Sequence, residues 1–400
     1  MLQLQITTFK QGSYMVVEGK ADSDRFYIIQ KGMVQCFKSS GSGIQPFKLG
    51  PGDFVGVVPC MASHLQIETA IAITDVQAIA VRKEQYPELI VKNTPVALKI
   101  IKTFAARMRQ MNEMLTKATL NTVVSDTSEQ ILRVAQYYEK ASRNNIAVYA
   151  YYQYLKTKPV GPNADVAKQK FVGLKARTRA PYFEPSKELS REYPQDTMIF
   201  SEAQSGSDMF IIQSGEVTIS KVVDGNEVTL ALLHKGDMFG EMALLENKPR
   251  SANAIAHSDC RLMVVNHANF NQMVSTQPQL ISRLTTTLAE RLWSMYRQLD
   301  NASLQDPFQK MLDMLSLQIE KQRIDIDKMT TKAKQTDLTP KDVANMCGIP
   351  NEQQPRAIYD FSTSSQIKLV DGKIYIKDVP ELVKQAAFYR KQRQEASTQI

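Results

Sequence analysis

The sequence predicts an α+β protein. Two β-rolls of the jelly-roll type stand in tandem with a helical linker between them, and a small helical domain with one hairpin follows. Three observations predict this. The chain repeats itself: Ser23-Asp-Arg-Phe-Tyr-Ile-Ile-Gln-Lys-Gly is echoed by Ser207-Asp-Met-Phe-Ile-Ile-Gln-Ser-Gly. Gly52-Asp53 is echoed by Gly236-Asp237 and Ala70-Ile-Ala by Ala254-Ile-Ala, about 184 positions on. Within each copy, short alternating apolar runs such as Phe26-Tyr-Ile-Ile and Leu262-Met-Val-Val are broken by Gly and Asp, the pattern of many short strands. Beyond residue 302 the spacing turns helical and then gives a hairpin at Asp371-Gly372.

Taken in order, the domains are 1–119, a β-roll with its following helix; 120–180, a helical linker; 181–301, a second β-roll with its helix; and 302–400, the helix-and-hairpin domain with a basic tail. A chain of 400 residues has material for two to four such cores. Its net charge of +8 is compatible with nucleic acid as a partner. It contains no run of 18 apolar residues, so no membrane partner is expected. The first residues have neither a charged nor an apolar leader segment. Four scattered cysteines without a CxxC motif read as reduced thiols of a cytoplasmic protein. The four histidines lack metal-ligand spacing, and no nucleophile–base set or triphosphate loop is present, so the expectation is no enzyme and no metal.

The most informative stretch is 239–256, Phe-Gly-Glu-Met-Ala-Leu-Leu-Glu-Asn-Lys-Pro-Arg-Ser-Ala-Asn-Ala-Ile-Ala. Arg250 offers a planar fork of donors suited to phosphate oxygens. Glu241 can accept a hydroxyl proton, and Gly240 permits a backbone conformation closed to other residues. A short helix starting near Glu241 would turn free amides toward an anion. Ala243, Ser251 and Ala252 are small enough to leave those amides uncovered. An ordinary surface ion pair between Glu241 and Arg250 explains neither the small residues nor the spacing. The stretch resembles the phosphate-binding cassette of the cyclic nucleotide-binding domain family, through Phe239, Gly240, Glu241, Ala243, Leu244, Pro249, Arg250, Ala252 and Ala256. The resemblance implies a β-roll whose ligand is a cyclic nucleotide: cyclic AMP is favoured, with cyclic GMP as the alternative. The implied contacts are Phe239, Gly240, Glu241, Met242, Ala243, Arg250, Ser251 and Ala252, with Glu241 on the ribose 2′-hydroxyl and Arg250 and Ser251 on the phosphate.

The first copy departs where the chemistry should be. Aligned from Gly52 and Gly236, Val57 faces Glu241, Gln66 faces Arg250, Ile67 faces Ser251 and Glu68 faces Ala252. A phosphate there would be a poorly compensated buried charge. This roll reads as fold-keeping and ligand-free or ligand-divergent, with His64 as the alternative source of the missing cation.

A helix is predicted after each roll, over 95–117 and 278–300, each with one apolar face. The resemblance implies that such a helix closes over the base and often forms a dimer seam, so a homodimer is one expected partner state. Trp293 and Tyr296 stand near the base-contacting positions. Tyr296 is carried as a ligand contact, with core or dimer packing as the other reading. Residues 128–175 resemble one tetratricopeptide-like hairpin. One repeat cannot bury its own face, so it is expected to pack on a roll.

In the last domain, Thr339 is an N-cap with Pro340 in the first turn, Gly348 makes a tight turn, a second helix follows, and Ile367–Ile376 forms the hairpin. This resembles the winged helix-turn-helix of the catabolite-activator (Crp/Fnr-like) family. The resemblance implies double-stranded DNA as partner, contacted by Thr339, Asn351, Gln353, Gln354, Arg356 and Lys373. Pro355 fits only if the second helix starts near residue 354 or is kinked, because mid-helix proline costs about 3 kcal/mol. The expected whole is a nucleotide sensor whose ligand orders the helix at 278–300 and shifts the winged domain. It acts as a transcriptional regulator, or alternatively through a protein partner.

Overall fold

A computed structural model describes residues 4–38, 44–120, 127–184, 188–223, 225–322, 329, 331–350 and 352–398. The alternation read in the two repeats becomes the same pair of sheets twice. In the first roll one sheet runs Gln5–Phe9, Val76–Arg82, Arg25–Lys31, Phe54–Val55, and the other Tyr14–Val16, Thr69–Ala72, Val34–Phe37, Phe47–Leu49. The second roll repeats both orders with Ser190–Tyr193, Cys260–Val265, Met209–Ser214, Met238–Phe239 and with Met198–Phe200, Asn253–Ala256, Val217–Val223, Asn226–Leu233. All these pairings are antiparallel. Every second residue therefore points inward. The inward sets make one core around Val16, Ile29, Val34, Ala70 and Ala78 and another around Phe200, Phe210, Phe239, Ala254 and Leu262.

The helices are, in chain order, α1 Val57–Ala62, α2 Tyr86–Lys92, α3 Thr94–Leu120, α4 Thr127–Lys140, α5 Asn144–Lys156, α6 Pro162–Lys175, α7 Glu241–Glu246, α8 His267–Thr276, α9 Pro278–Ser303, α10 Pro307–Lys321, α11 Pro340–Met346, α12 Gln354–Ser362 and α13 Val379–Thr398. They gather into two compact units that do not follow chain order. One holds 1–100, 110–121 and 278–400; the other holds 101–109 and 122–277.

In the first unit α9 packs on α1 and α2 of the first roll. The reason lies in α1, whose six residues Val57-Val-Pro-Cys-Met-Ala are all buried. An apolar helix needs a cover, and the Leu284, Leu288 and Leu292 stripe of α9 is buried. Polar pins fix the register: Tyr86 Oη and Thr285 Oγ1 lie 3.0 Å apart, and Trp293 Nε1 donates to Leu65 O at 3.3 Å. The Trp293 indole stacks on His64 with centroids 3.7 Å apart and planes within 13°. Farther along α9, buried Arg297 pairs with Asp313 and Glu320 of α10, and Arg390 of α13 also reaches Asp313.

The last domain stands on α10, against which α11, α12 and α13 pack. Thr339 caps α11 and exchanges bonds with Asp342. α12 starts at Gln354, so Pro355 sits in its first turn, where the missing N–H costs nothing. The hairpin Ile367–Val370/Lys373–Ile376 pairs with Lys334–Gln335, and its turn holds Asp371 and Gly372 at φ 51° and 75°. Two successive positive φ values are what a two-residue hairpin turn of type I′ requires.

In the second unit the segment between the rolls forms three helices, α4 to α6, with a core that includes Met198, Val222 and Ile255 of the second roll. The expectation that it packs on a roll is met. Tyr138 Oη donates to Glu227 at 2.7 Å, Arg143 pairs with Glu227 and Asp196, and Gln130 donates to Glu202. No helix among the described residues is long and apolar enough to cross a membrane.

Candidate functional site

The site grows from one turn. The chain leaves Met238–Phe239 through Gly240, held at φ 76° and ψ 2°, and enters α7 at Glu241. A side chain at 240 would be strained in that left-handed conformation, and its Cβ would lie 2.8 Å from Arg250 Nη1. Gly240 therefore lets Arg250 cross the turn and donate from Nη1 to Gly240 O at 2.8 Å. Gly206 does the same on the other side, since a Cβ there would stand 2.9 Å from Arg250 Nη2.

Arg250 is 6% exposed, an unusual place for a guanidinium. Its Cζ lies 4.2 Å from the centre of the Phe200 ring, and Phe239 and Phe210 stack beneath with centroids 5.3 Å apart. An aromatic face attracts a cation and partly offsets lost hydration. Arg250 Nε finds no hydrogen-bond partner among the described residues. Burial pushes the pKa of Arg250 down to about 10, against the pull of Tyr149, Asp208 and Glu241. The charge is thus held ready and under-compensated, which favours an anion.

Glu241 is 3% exposed at the start of α7, with Met242 and Ala243 buried behind it. Ala252 is buried, and Ser251 Oγ lies 3.5 Å from Met242 Sδ. Phe239 belongs to the roll core. The structure brings all eight of these residues to one turn of the second roll. Tyr296 lies buried on α9, in the unit of the first roll. In that unit α9 is a helix docked on α1 and α2.

Sequence reading missed Tyr149 and Gln204. Gln204 Nε2 donates to Tyr149 Oη at 3.0 Å, and Arg250 N donates to Gln204 O at 2.9 Å. Burial raises the pKa of Tyr149 to about 12, with the Gln204 bond and the Arg250 charge acting against it, so the phenol stays neutral. The signal was available in part: the tyrosine-rich face of α5 had to meet a roll. Also missed was Arg109 of α3, whose Nε is 2.5 Å from Glu246 Oε2.

In the first roll the same turn exists without the chemistry. Gly56 holds φ 72° before α1, and Gln66 is 3% exposed, donating from Nε2 to Asp22 O at 3.0 Å. His64 stacks on Trp293.

The residues read as DNA contacts are spread over the last domain. Thr339 is engaged in its cap. Gln354 is 8% exposed and spends its amide hydrogens on Asn345 Oδ1 and Ile349 O. Gln353 and Arg356 are exposed, with Arg356 3.8 Å from Asp360. Lys373 pairs with Asp337 at 2.8 Å. Asn351 lies outside the described residues. Among the described residues no group of three or more His, Cys, Asp or Glu is arranged to hold a metal.

Residues 6–93 and 190–277 each match the family model described as "Cyclic nucleotide-binding domain". The chain is similar to the "CRP-like cAMP-activated global transcriptional regulator" of Mycobacterium tuberculosis, 26% identical over 196 residues, which is 49% of this chain and 87% of that protein. It is similar to the "Cyclic AMP receptor protein" of Thermus thermophilus, 26% identical over 199 residues, 50% of this chain and 88% of that protein. A shorter stretch of 78 residues, 19% of this chain and 15% of the other protein, is 42% identical to a "cAMP-dependent protein kinase regulatory subunit" of Mycosarcoma maydis.

Proposed function

Because the chain carries two domains of the cyclic nucleotide-binding family, we propose that it is a cyclic-nucleotide-sensing regulator with one ligand site, in the second roll. The ligand is cyclic AMP, and the chain is a sensor rather than an enzyme. Arg250 takes the phosphate, aided by Ser251, and Glu241 takes the ribose 2′-hydroxyl. The observation that carries this reading is Arg250 itself: buried, over an aromatic floor, with an Nε donor that lacks a partner among the described residues. A singly charged phosphodiester supplies what that donor and that charge lack.

The output is a winged helix-turn-helix, formed by α11, α12 and the hairpin, that binds double-stranded DNA. The relatives named as transcriptional regulators support this reading. A protein partner is the second reading. The observation behind it is that Gln354 spends its amide within the domain while Tyr359 of α12 is 68% exposed.

Calorimetric titration with cyclic AMP tests the sensor: one site per chain is expected, and no heat with cyclic AMP or cyclic GMP refutes it. Gel shifts on mixed DNA across a salt series, with and without ligand, test the output. Phosphate contacts give steep salt dependence, so a salt-insensitive or absent shift favours the protein partner.

A further inference from the structure

The helix that follows each roll in the chain docks on the cassette of the other roll. Two equivalent contacts, one within each compact unit, make this docking. In the second roll's unit, Arg109 of α3 donates from Nη1 and Nη2 to Pro249 O at 3.2 and 3.3 Å. In the first roll's unit, Trp293 of α9 donates from Nε1 to Leu65 O at 3.3 Å. Residues 109 and 293 occupy the same place in the repeat, as do 65 and 249, each pair being 184 apart. The same helical position thus reaches the same carbonyl, and only the donor differs.

That difference matters. The indole makes one neutral bond to its carbonyl. The guanidinium also pairs through Nε with Glu246 Oε2, at 2.5 Å. Side-chain exposures of 16% and 9% keep that pair largely out of water. Glu246 is the last residue of α7, which opens with Glu241, and Pro249 is the residue before Arg250. One side chain on α3 therefore grips both ends of the loop joining the two principal ligand residues. The equivalent of Glu246 in the first roll is Ala62, whose methyl side chain carries no carboxylate.

We propose that Arg109 is the positioning residue through which occupation of the second roll is transmitted to α3. This rests on the nucleotide reading of Arg250. A phosphate that draws Arg250 away from Gly240 O and the Phe200 face displaces the adjoining peptide, whose carbonyl is the one Arg109 holds. The clamp then has different energies in the free and bound states, which is the requirement for coupling. α3 is accordingly the element expected to respond.

The test is amide hydrogen exchange of the full chain, free and saturated with cyclic AMP, for wild type, Arg109→Gln and Arg109→Lys, with binding followed by calorimetry. In wild type, cyclic AMP is expected to change exchange in peptides from 100–112 by about tenfold. Arg109→Gln should bind within about tenfold of wild type yet lose most of the α3 response, and its free form should exchange faster over 244–250. Arg109→Lys, which keeps the charge without the fork, should fall between and guards against a misfolded glutamine variant. An α3 response unchanged in Arg109→Gln, or a wild-type response confined to α9, overturns the proposal. Unchanged loop exchange in nucleotide-free Arg109→Gln overturns the clamp alone. A wild type that does not bind overturns the nucleotide reading and the transmission with it.

Discussion

At position 66 of the first roll and 250 of the second, a side chain leaves the same backbone frame. Gln66 N donates to Lys20 O and Arg250 N to Gln204 O, both at 2.9 Å, while Gly19 N and Ala203 N donate back at 2.8 Å. Both side chains turn toward the glycine before a short helix and toward residue 22 or 206. The rolls even share a partly buried ion pair: Lys38 with Glu18 at 2.8 Å and Lys221 with Glu202 at 3.0 Å. What differs is the chemistry at the turn and the helices that cover the sheet. The first roll has apolar α1 under α9, with Asp300 of α9 completing its ion pair at 3.0 Å. The second has an acidic start to α7, a buried arginine, and α4, whose Gln130 completes the pair at Glu202. One scaffold thus serves in one copy as a dock for a helix and in the other as a seat for an anion.

The comparison breaks most sharply at Arg250. Arg250→Ala should cost about 4 kcal/mol of nucleotide affinity, nearly a thousandfold, because the phosphate loses its charged donors in a desolvated place. The nucleotide-free variant should melt close to wild type, since the removed group was itself a burial cost. Calorimetry and a thermal melt on the same samples check both halves. A variant that binds normally ends the assignment of the second roll.

The next effect concerns the shared ion pair. Lys38 answers two carboxylates and is 4% exposed along its side chain, whereas Lys221, at 17%, answers one. Lys38→Met should therefore destabilise by about 3 kcal/mol and Lys221→Met by about 1 kcal/mol in urea unfolding. Trp293, the one tryptophan in the chain, should report the first change as a red shift when α9 loosens. Burial works against the Lys38 charge, but Asp300 and Glu18 hold its pKa above the ordinary 10.5. A raised lysine pKa means this stabilisation is complete below 10.5 and fades as pH climbs past the folded value. Wild type and Lys38→Met should then converge only in strong alkali. Equal losses for both lysines at neutral pH would contradict the two-carboxylate account.

A smaller effect separates the cover of the second roll from its cassette. Tyr149→Phe removes the acceptor for Gln204 Nε2 but keeps the ring, and should weaken nucleotide binding by about 1 kcal/mol through Gln204 and the backbone of Arg250. Tyr154→Phe, on the same helix, is the control and should leave affinity unchanged.

How much of this was legible follows from where each interaction lives. The turn at Gly240 and the placement of Glu241 and Arg250 are local in sequence, so residue type and spacing reported them. Pro355 likewise announced the start of α12, because proline tolerates only the first helical turn. The covers were not legible. α3 and α9 carry similar apolar stripes, and nothing in either says which roll it will meet. The repeat offset of 184 makes residues 109 and 293 equivalent in the sequence, but not the carbonyls at 249 and 65 that they reach. Tyr149 is separated from Gln204 by 55 residues, and the tyrosines of α5 look alike until one finds a partner. Gln354 looked free to read a base because the turn that occupies its amide is made by backbone and side chain together.

The smallest expected effect falls on Gln66. Its Nε2 bond to Asp22 O stabilises, but its Oε1 is buried without a partner among the described residues, and truncation removes both. The gain and loss are each about 1 kcal/mol, so Gln66→Ala should shift unfolding by less than about 1 kcal/mol. Cyclic AMP affinity and stoichiometry should not move, because neither the turn at Gly240 nor Arg250 is touched. A fall in stoichiometry, or a second weak site lost, would mean that the amide of Gln66 holds a ligand. The first roll would then be a divergent sensor instead of a dock for α9.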